Sequence, residues 1–126
     1  MGAKSHRPTE RELEILRVLW RNGPCSVRQV HEQVSRRQDT GYTTTLKFMQ
    51  IMVQKGLLLR DPSCRSHIYT PAVDEAATKK GLVSDLVEKV FSGSASRLVM
   101  NLFSEGSVPK DELDRIRDFL EEIEKE

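Results

Sequence analysis

Cysteine is nearly absent from this sequence, with two in 126 residues, Cys25 and Cys64. They form no CxxC pair and sit beside no histidine cluster, so neither a disulfide framework nor a zinc-ligand spacing is present. Two reduced thiols in a reducing compartment are the expectation. No run of about 18 apolar residues occurs, which excludes a membrane-spanning helix. The opening Met1-Gly2-Ala3-Lys4-Ser5-His6 lacks the apolar stretch of a signal peptide, and His6 replaces the Ser or Thr of a myristoylation pattern. Cytoplasmic residence without membrane insertion follows as the expectation. The sequence also lacks a nucleophile–base pair, a phosphate loop and a metal cluster, and its three histidines are scattered. An enzyme is therefore not expected, nor is a metal or other cofactor.

Charge of one sign is lacking overall, with a net charge of +1, but the sum hides an asymmetry. Residues 1–75 carry 12 Lys/Arg against 8 Asp/Glu (+4), and residues 76–126 carry 8 against 11 (−3). A basic first part suits a polyanion, and an acidic second part suits a different task.

The first part alternates stop signals with helical periodicity. Thr9-Glu10-Arg11-Glu12 fits a capping box. Leu13, Ile15, Leu16 and Leu19-Trp20 then recur at helical spacing until Asn22-Gly23-Pro24 ends the helix. Ser26-Val27-Arg28-Gln29 is a second capping box and opens a short helix with Val27, Val30 and Val34 on one side. Gln38-Asp39-Thr40-Gly41 reads as a loop. A third helix spans about Tyr42 to Lys55, with Gly56 as its C-terminal glycine. Leu57-Leu58-Leu59-Arg60 reads as a strand, Asp61-Pro62-Ser63-Cys64 as a turn, and His67-Ile68-Tyr69-Thr70-Pro71 as the returning strand. Three helices and a hairpin within about 65 residues form a winged helix-turn-helix.

The second part is all helix. Leu82, Val83, Leu86, Val87, Val90 and Phe91 form one apolar stripe, ending at Ser92-Gly93-Ser94. Leu98, Val99, Leu102 and Phe103 form another. After Pro109 a third has Leu113, Ile116, Phe119, Leu120 and Ile123. Three short helices cannot each bury such a stripe alone, and pairing with a second copy solves this. The fold class expected is thus mainly α: a winged-helix DNA-binding domain over 1–74 and a three-helix dimerisation domain over 75–126. The homodimer contact is expected from Leu86, Val90, Leu98, Leu102, Leu113, Ile116 and Leu120.

Within the third helix, Thr45, Phe48, Met49 and Met52 share one face, expected to be core. The opposite side carries Thr43, Thr44, Lys47, Gln50 and Gln54. Amides suit adenine, lysine suits guanine, and threonine suits hydroxyl contacts or a thymine methyl, so Thr43, Thr44, Lys47 and Gln50 are base-reading candidates. On periodicity alone an ordinary solvated helix face remains an alternative. Arg65 at the wing tip is a candidate for phosphate contact or entry into a narrow minor groove, and Arg28 in the first turn of the second helix is a phosphate candidate. A winged-helix module that binds protein instead would show an apolar patch here, for which Leu46 and Ile51 are the candidates.

Thr9–Trp20, Gly23–Val30, Tyr42–Lys47 with Lys55-Gly56-Leu57, and Arg65–Tyr69 together resemble the penicillinase-repressor family, the BlaI/MecI-type winged-helix repressors. The resemblance covers nearly the whole chain. It implies a homodimer that represses transcription from a palindromic double-stranded operator. It further implies release by proteolysis, triggered by a membrane metallopeptidase sensor, at a bond equivalent here to Asn101–Leu102. Three departures from the family pattern are visible: Ile51 where many relatives carry Arg, Cys64 where glycine is usual, and Leu102 in place of an aromatic residue beside the cut. The cysteine-rich, copper-binding tail of the family's metal-responsive branch has no counterpart in Glu124-Lys125-Glu126.

Overall fold

A computed structural model describes residues 7–34, 41–63, 65–104 and 106–125. The loop expected at Gln38-Asp39-Thr40 and the wing-turn residue Cys64 lie outside these. The elements run α1 (Glu10–Asn22), α2 (Val27–Val34), α3 (Tyr42–Lys55), β1 (Leu58–Asp61), β2 (Ile68–Pro71), α4 (Glu75–Val90), α5 (Ala95–Ser104) and α6 (Lys110–Glu124). Two compact units divide the chain, Met1–Leu82 and Val83–Glu126, so the boundary falls inside α4.

Local chemistry explains where each element of the first unit begins and ends. Glu12 N–H donates to Thr9 Oγ1 at 3.2 Å and Thr9 N–H donates to Glu12 Oε1 at 3.0 Å, the reciprocal capping box that starts α1. Ser26 and Gln29 repeat the exchange at the start of α2, at 2.9 and 3.2 Å. Gly56 closes α3 in the left-handed region, φ 86° and ψ 13°, where a side chain would be strained. Leu57 N–H donates to Met52 O, which completes that cap. Leu57 is thereby committed to the helix end, and β1 starts one residue later than the sequence pattern suggests.

The core of this unit is one cluster. Ile15, Leu16 and Leu19 of α1, Val30 of α2, Met49 and Met52 of α3, and Leu57, Leu58 and Tyr69 are all buried. Burial of each such side chain contributes roughly 1.5–3 kcal/mol. β1 pairs antiparallel with β2, Leu58 opposite Pro71 and Asp61 opposite Ile68. Cys25 adds a bridge to the hairpin, exchanging both backbone hydrogen bonds with Tyr69 at 3.1 and 2.8 Å. This bridge fixes the wing against the entry to α2. Trp20 Nε1 donates to Val73 O at 3.1 Å and ties α1 to the segment leaving the hairpin.

The second unit has a different character. Helix α4 ends at Ser92-Gly93, both with positive φ (53° and 84°), and Gly93 N–H donates to Val87 O. Pro109 precedes α6 in extended conformation. Among the described residues none in α4, α5 or α6 is buried. Val90, Met100 and Phe119 are each more than 60% exposed.

Candidate nucleic-acid interface

Helix α3 sorts its residues by period. Thr45, Met49 and Met52 are buried and Phe48 packs against the core, as the spacing requires. Thr43, Thr44, Lys47, Gln50 and Gln54 are exposed and share the opposite arc. Ile51 lies within that arc and is 46% exposed. Leu46, grouped with Ile51 as a candidate apolar patch, is instead half-buried and packs against the core. The arc therefore offers hydroxyls, amides and one ammonium around a single aliphatic side chain.

The ends of α3 are held differently. At the C-terminal end Lys55 Nζ lies 2.7 Å from Glu12 Oε2, and Glu12 is 2% exposed. The capping carboxylate of α1 thus also anchors α3. At the N-terminal end Gly41 supplies no side-chain cap. Contacts from α2 take its place: the Arg28 guanidinium lies 5.6 Å from the centroid of the Tyr42 ring, His31 meets the same ring edge-on at 5.8 Å and 83°, and His31 Nδ1 shares a hydrogen bond with Thr45 Oγ1 at 3.0 Å.

A cleft of about 470 Å³ opens beside this end, lined by Ser26, Arg28, Tyr42, Leu46, Arg65, Ser66 and His67 among others. The sequence-derived cations Arg28 and Arg65 thus meet at one cleft, although they are 37 positions apart in the chain. Both are exposed and remain available to a polyanion. His67 adopts φ 49°, in the left-handed region that few non-glycine residues enter. Asp61 shapes the other side of that turn, accepting from Ser63 Oγ at 2.6 Å and Ser63 N–H at 3.0 Å. Those two bonds, the hydroxyl first, hold the Asp61 carboxyl below its ordinary range.

Residues 8–122 match the penicillinase repressor family. The chain belongs to that family. A relative in Mycobacterium tuberculosis (strain ATCC 25618 / H37Rv), the transcriptional regulator BlaI, is 33% identical over 123 residues, 97% of this chain and 88% of that protein. The methicillin resistance regulatory protein MecI of Staphylococcus aureus is 22% identical over 120 residues, covering 95% and 98%. Among solved structures, the DNA binding domain of the repressor BlaI superposes with TM-score 0.52 at 24% identity, covering 60% of this chain and 92% of that one. The monomeric form of Bacillus licheniformis BlaI, solved in complex with the blaP half-operator, gives TM-score 0.51 at 25% identity, covering 58% and 89%. The winged helix-turn-helix is thus the fold this penicillinase repressor relative shares with the BlaI domains.

Sequence reasoning missed Tyr42 and His31. His31 belongs to no motif, Tyr42 enters one only as the start of the third helix, and the His31–Thr45 contact spans 14 positions. One signal was present: Gly41 before Tyr42 cannot cap through a side chain, so the first turn of α3 needs support from elsewhere. Asn101 and Leu102 both lie in α5 and are exposed, Leu102 at 52%. Of the residues expected at a dimer contact, Leu86, Val90, Leu102 and Leu120 are exposed, while Leu98, Leu113 and Ile116 are half-buried.

Proposed function

We propose that this chain is a sequence-specific DNA-binding transcriptional repressor that acts as a homodimer on a palindromic double-stranded operator. The observation that carries the reading is the exposed arc of Thr43, Thr44, Lys47 and Gln50 on α3, flanked by a cleft that gathers Arg28 and Arg65. A helix in the major groove needs such an arc for base edges, and cations beside it for phosphates. Support comes from the BlaI domain of the same fold that was solved on a half-operator. With Leu46 packed inward, Ile51 is the one large apolar side chain exposed on the arc among the described residues. That favours DNA over an apolar protein ligand.

The second unit supplies the dimer in this reading. Its three helices bury no described residue within one chain, and Leu86, Val90, Leu98, Leu102, Leu113, Ile116 and Leu120 are the residues assigned to the partner copy. Cleavage at Asn101–Leu102, triggered by a membrane metallopeptidase sensor, would remove α6 from the interface and leave half-sites to bind independently and weakly. The site of action is the cytoplasm. No described helix is long and apolar enough to cross a membrane.

The test is competition binding of the full chain to a duplex selected from a random library, against a scrambled duplex, over a range of salt. Lys47→Ala should lower discrimination by about 1–3 kcal/mol, while Arg65→Ala should weaken binding to both duplexes and reduce the salt slope by about one. Equal affinity of the wild type for both duplexes would refute specific repression. For release, co-expression with a membrane metallopeptidase sensor should yield a fragment ending at Asn101 by mass spectrometry; an intact chain under inducing antibiotic would exclude that step.

A further inference from the structure

We propose that His31 is a positioning residue for DNA reading: it holds the first turn of α3, and with it Thr43 and Thr44, in the geometry that discriminates operator from other DNA. The inference rests on the DNA-binding reading above. It starts from a weakness in the sequence. Gly41 gives the helix no side-chain cap, and the turn that follows is Thr43-Thr44-Thr45, three β-branched residues of low helix propensity. Left to itself this turn frays, since the first amides of a helix lack internal partners. Yet it carries two of the four base-reading candidates, and the leading residues of a reading helix reach deepest into the groove.

Three contacts converge on that turn from α2, and His31 makes two of them. Its Nδ1 shares a hydrogen bond with Thr45 Oγ1 at 3.0 Å, and Thr45 is 2% exposed. Its ring meets Tyr42 edge-on at 5.8 Å. Arg28 lies over the same Tyr42 ring at 5.6 Å. His31 itself is only half-buried, and both its side-chain hydrogen bond and its ring contact go to this one turn. The far end of α3 has its own anchors, the Glu12–Lys55 pair and the Gly56 cap. Loss of His31 would therefore loosen the reading end and leave the rest of the domain folded. Thr43 and Thr44 would sample wrong and right geometries alike, which reduces operator affinity more than non-specific affinity.

The experiment measures full-chain variants His31→Ala, Thr45→Val, the double variant and His31→Gln on the selected and the scrambled duplex. One lost hydrogen bond corresponds to roughly a three- to tenfold change. The operator-over-scrambled ratio should fall by about that factor in each single variant, with unchanged affinity for the scrambled duplex and an unchanged salt slope. The double variant should lose little more than either single one. Gln, which can restore a hydrogen bond to Thr45 Oγ1, should recover part of the ratio. An unchanged ratio in Thr45→Val and His31→Ala would overturn the proposal, and so would an equal loss on both duplexes. Thr45→Val preserves shape and decides the matter should His31→Ala fold poorly. A wild type that does not discriminate the duplexes would defeat the DNA-binding reading instead, before any variant is measured.

Discussion

Replacing Lys55 by Met removes the cation from a carboxylate that performs two tasks. Glu12 Oε1 accepts from Thr9 N–H at 3.0 Å to cap α1, and Oε2 lies 2.7 Å from Lys55 Nζ at the end of α3. Glu12 is 2% exposed, so its charge cannot turn to bulk water when the ammonium goes. Breaking a buried pair by deleting one member costs roughly 3–5 kcal/mol. The Lys55 side chain is 35% exposed, however, so water can enter where Nζ was and recover part of that cost. Met retains the apolar stem that lines the site. About 2 kcal/mol is the resulting expectation, which for a domain of this size lowers Tm by roughly 8–16 °C.

The assay is thermal unfolding followed by circular dichroism. The control is Glu12→Gln, which keeps an oxygen for Thr9 N–H and removes only the charge. That variant leaves a lone lysine one-third exposed and should cost less than Lys55→Met. The double variant should be more stable than the two single losses added together, by about 1 kcal/mol or more, since neither lone charge remains. A Tm change below about 2 °C in Lys55→Met, or simple additivity in the double variant, would refute the assignment of this pair as the anchor between α1 and α3.

Three further outcomes follow from other parts of the molecule. Leu120→Glu places a charge on the face assigned to the partner copy, so the full chain should become monomeric by light scattering, with a dimer dissociation constant raised at least about a hundredfold; a variant that remains dimeric at the same concentration would remove Leu120 from the interface. Burial pushes the Cys25 thiol up from its ordinary range, so at pH 8 it stays protonated as well as enclosed, and in a Cys64→Ser background alkylation should be slower in the folded chain than in denaturant by at least about a hundredfold; equal rates would show that the bridge to Tyr69 opens freely. Gly81→Ala in α4 brings a methyl to within 2.9 Å of the Arg7 guanidinium carbon, the end of a flexible side chain that has interactions of its own, so displacing it should offset part of the helix-propensity gain and stability should rise by less than about 0.5–1 kcal/mol; a lowered Tm would mean that the Arg7 contacts are worth more than the propensity.

The winged half was legible because its signals are local. Each capping box is a four-residue pattern, and both form, at Thr9–Glu12 and Ser26–Gln29. The core face of α3 is a matter of period, and Thr45, Met49 and Met52 are buried as the period dictates. What the sequence could not disclose is pairing over distance. The Glu12–Lys55 ion pair spans 43 positions, and nothing in either residue's neighbourhood names the other. The half-burial of Leu46 is another such case, since it packs against a core assembled from segments distant in sequence. The division between units is another case, because α4 reads as a single helix while the contact boundary falls at Leu82, inside it.

The two halves follow opposite rules of stability, and this has a consequence for repression. The first unit buries a contiguous core and fixes both ends of α3 from within one chain. The second leaves Val90, Met100 and Phe119 more than 60% exposed, apolar surface that gains nothing from burial within one chain. In the dimeric reading proposed above, folding of the second unit and association of two chains then become one equilibrium that depends on protomer concentration. Operator affinity inherits that dependence, because two linked reading heads bind with an effective concentration that a single head lacks. Separate melting transitions should therefore be resolved by calorimetry: one for the first unit, fixed in temperature, and one for the second, rising as the protein concentration rises. A single transition independent of concentration would show that α4–α6 are stabilised within one chain, and the dimer assignment would fall with it.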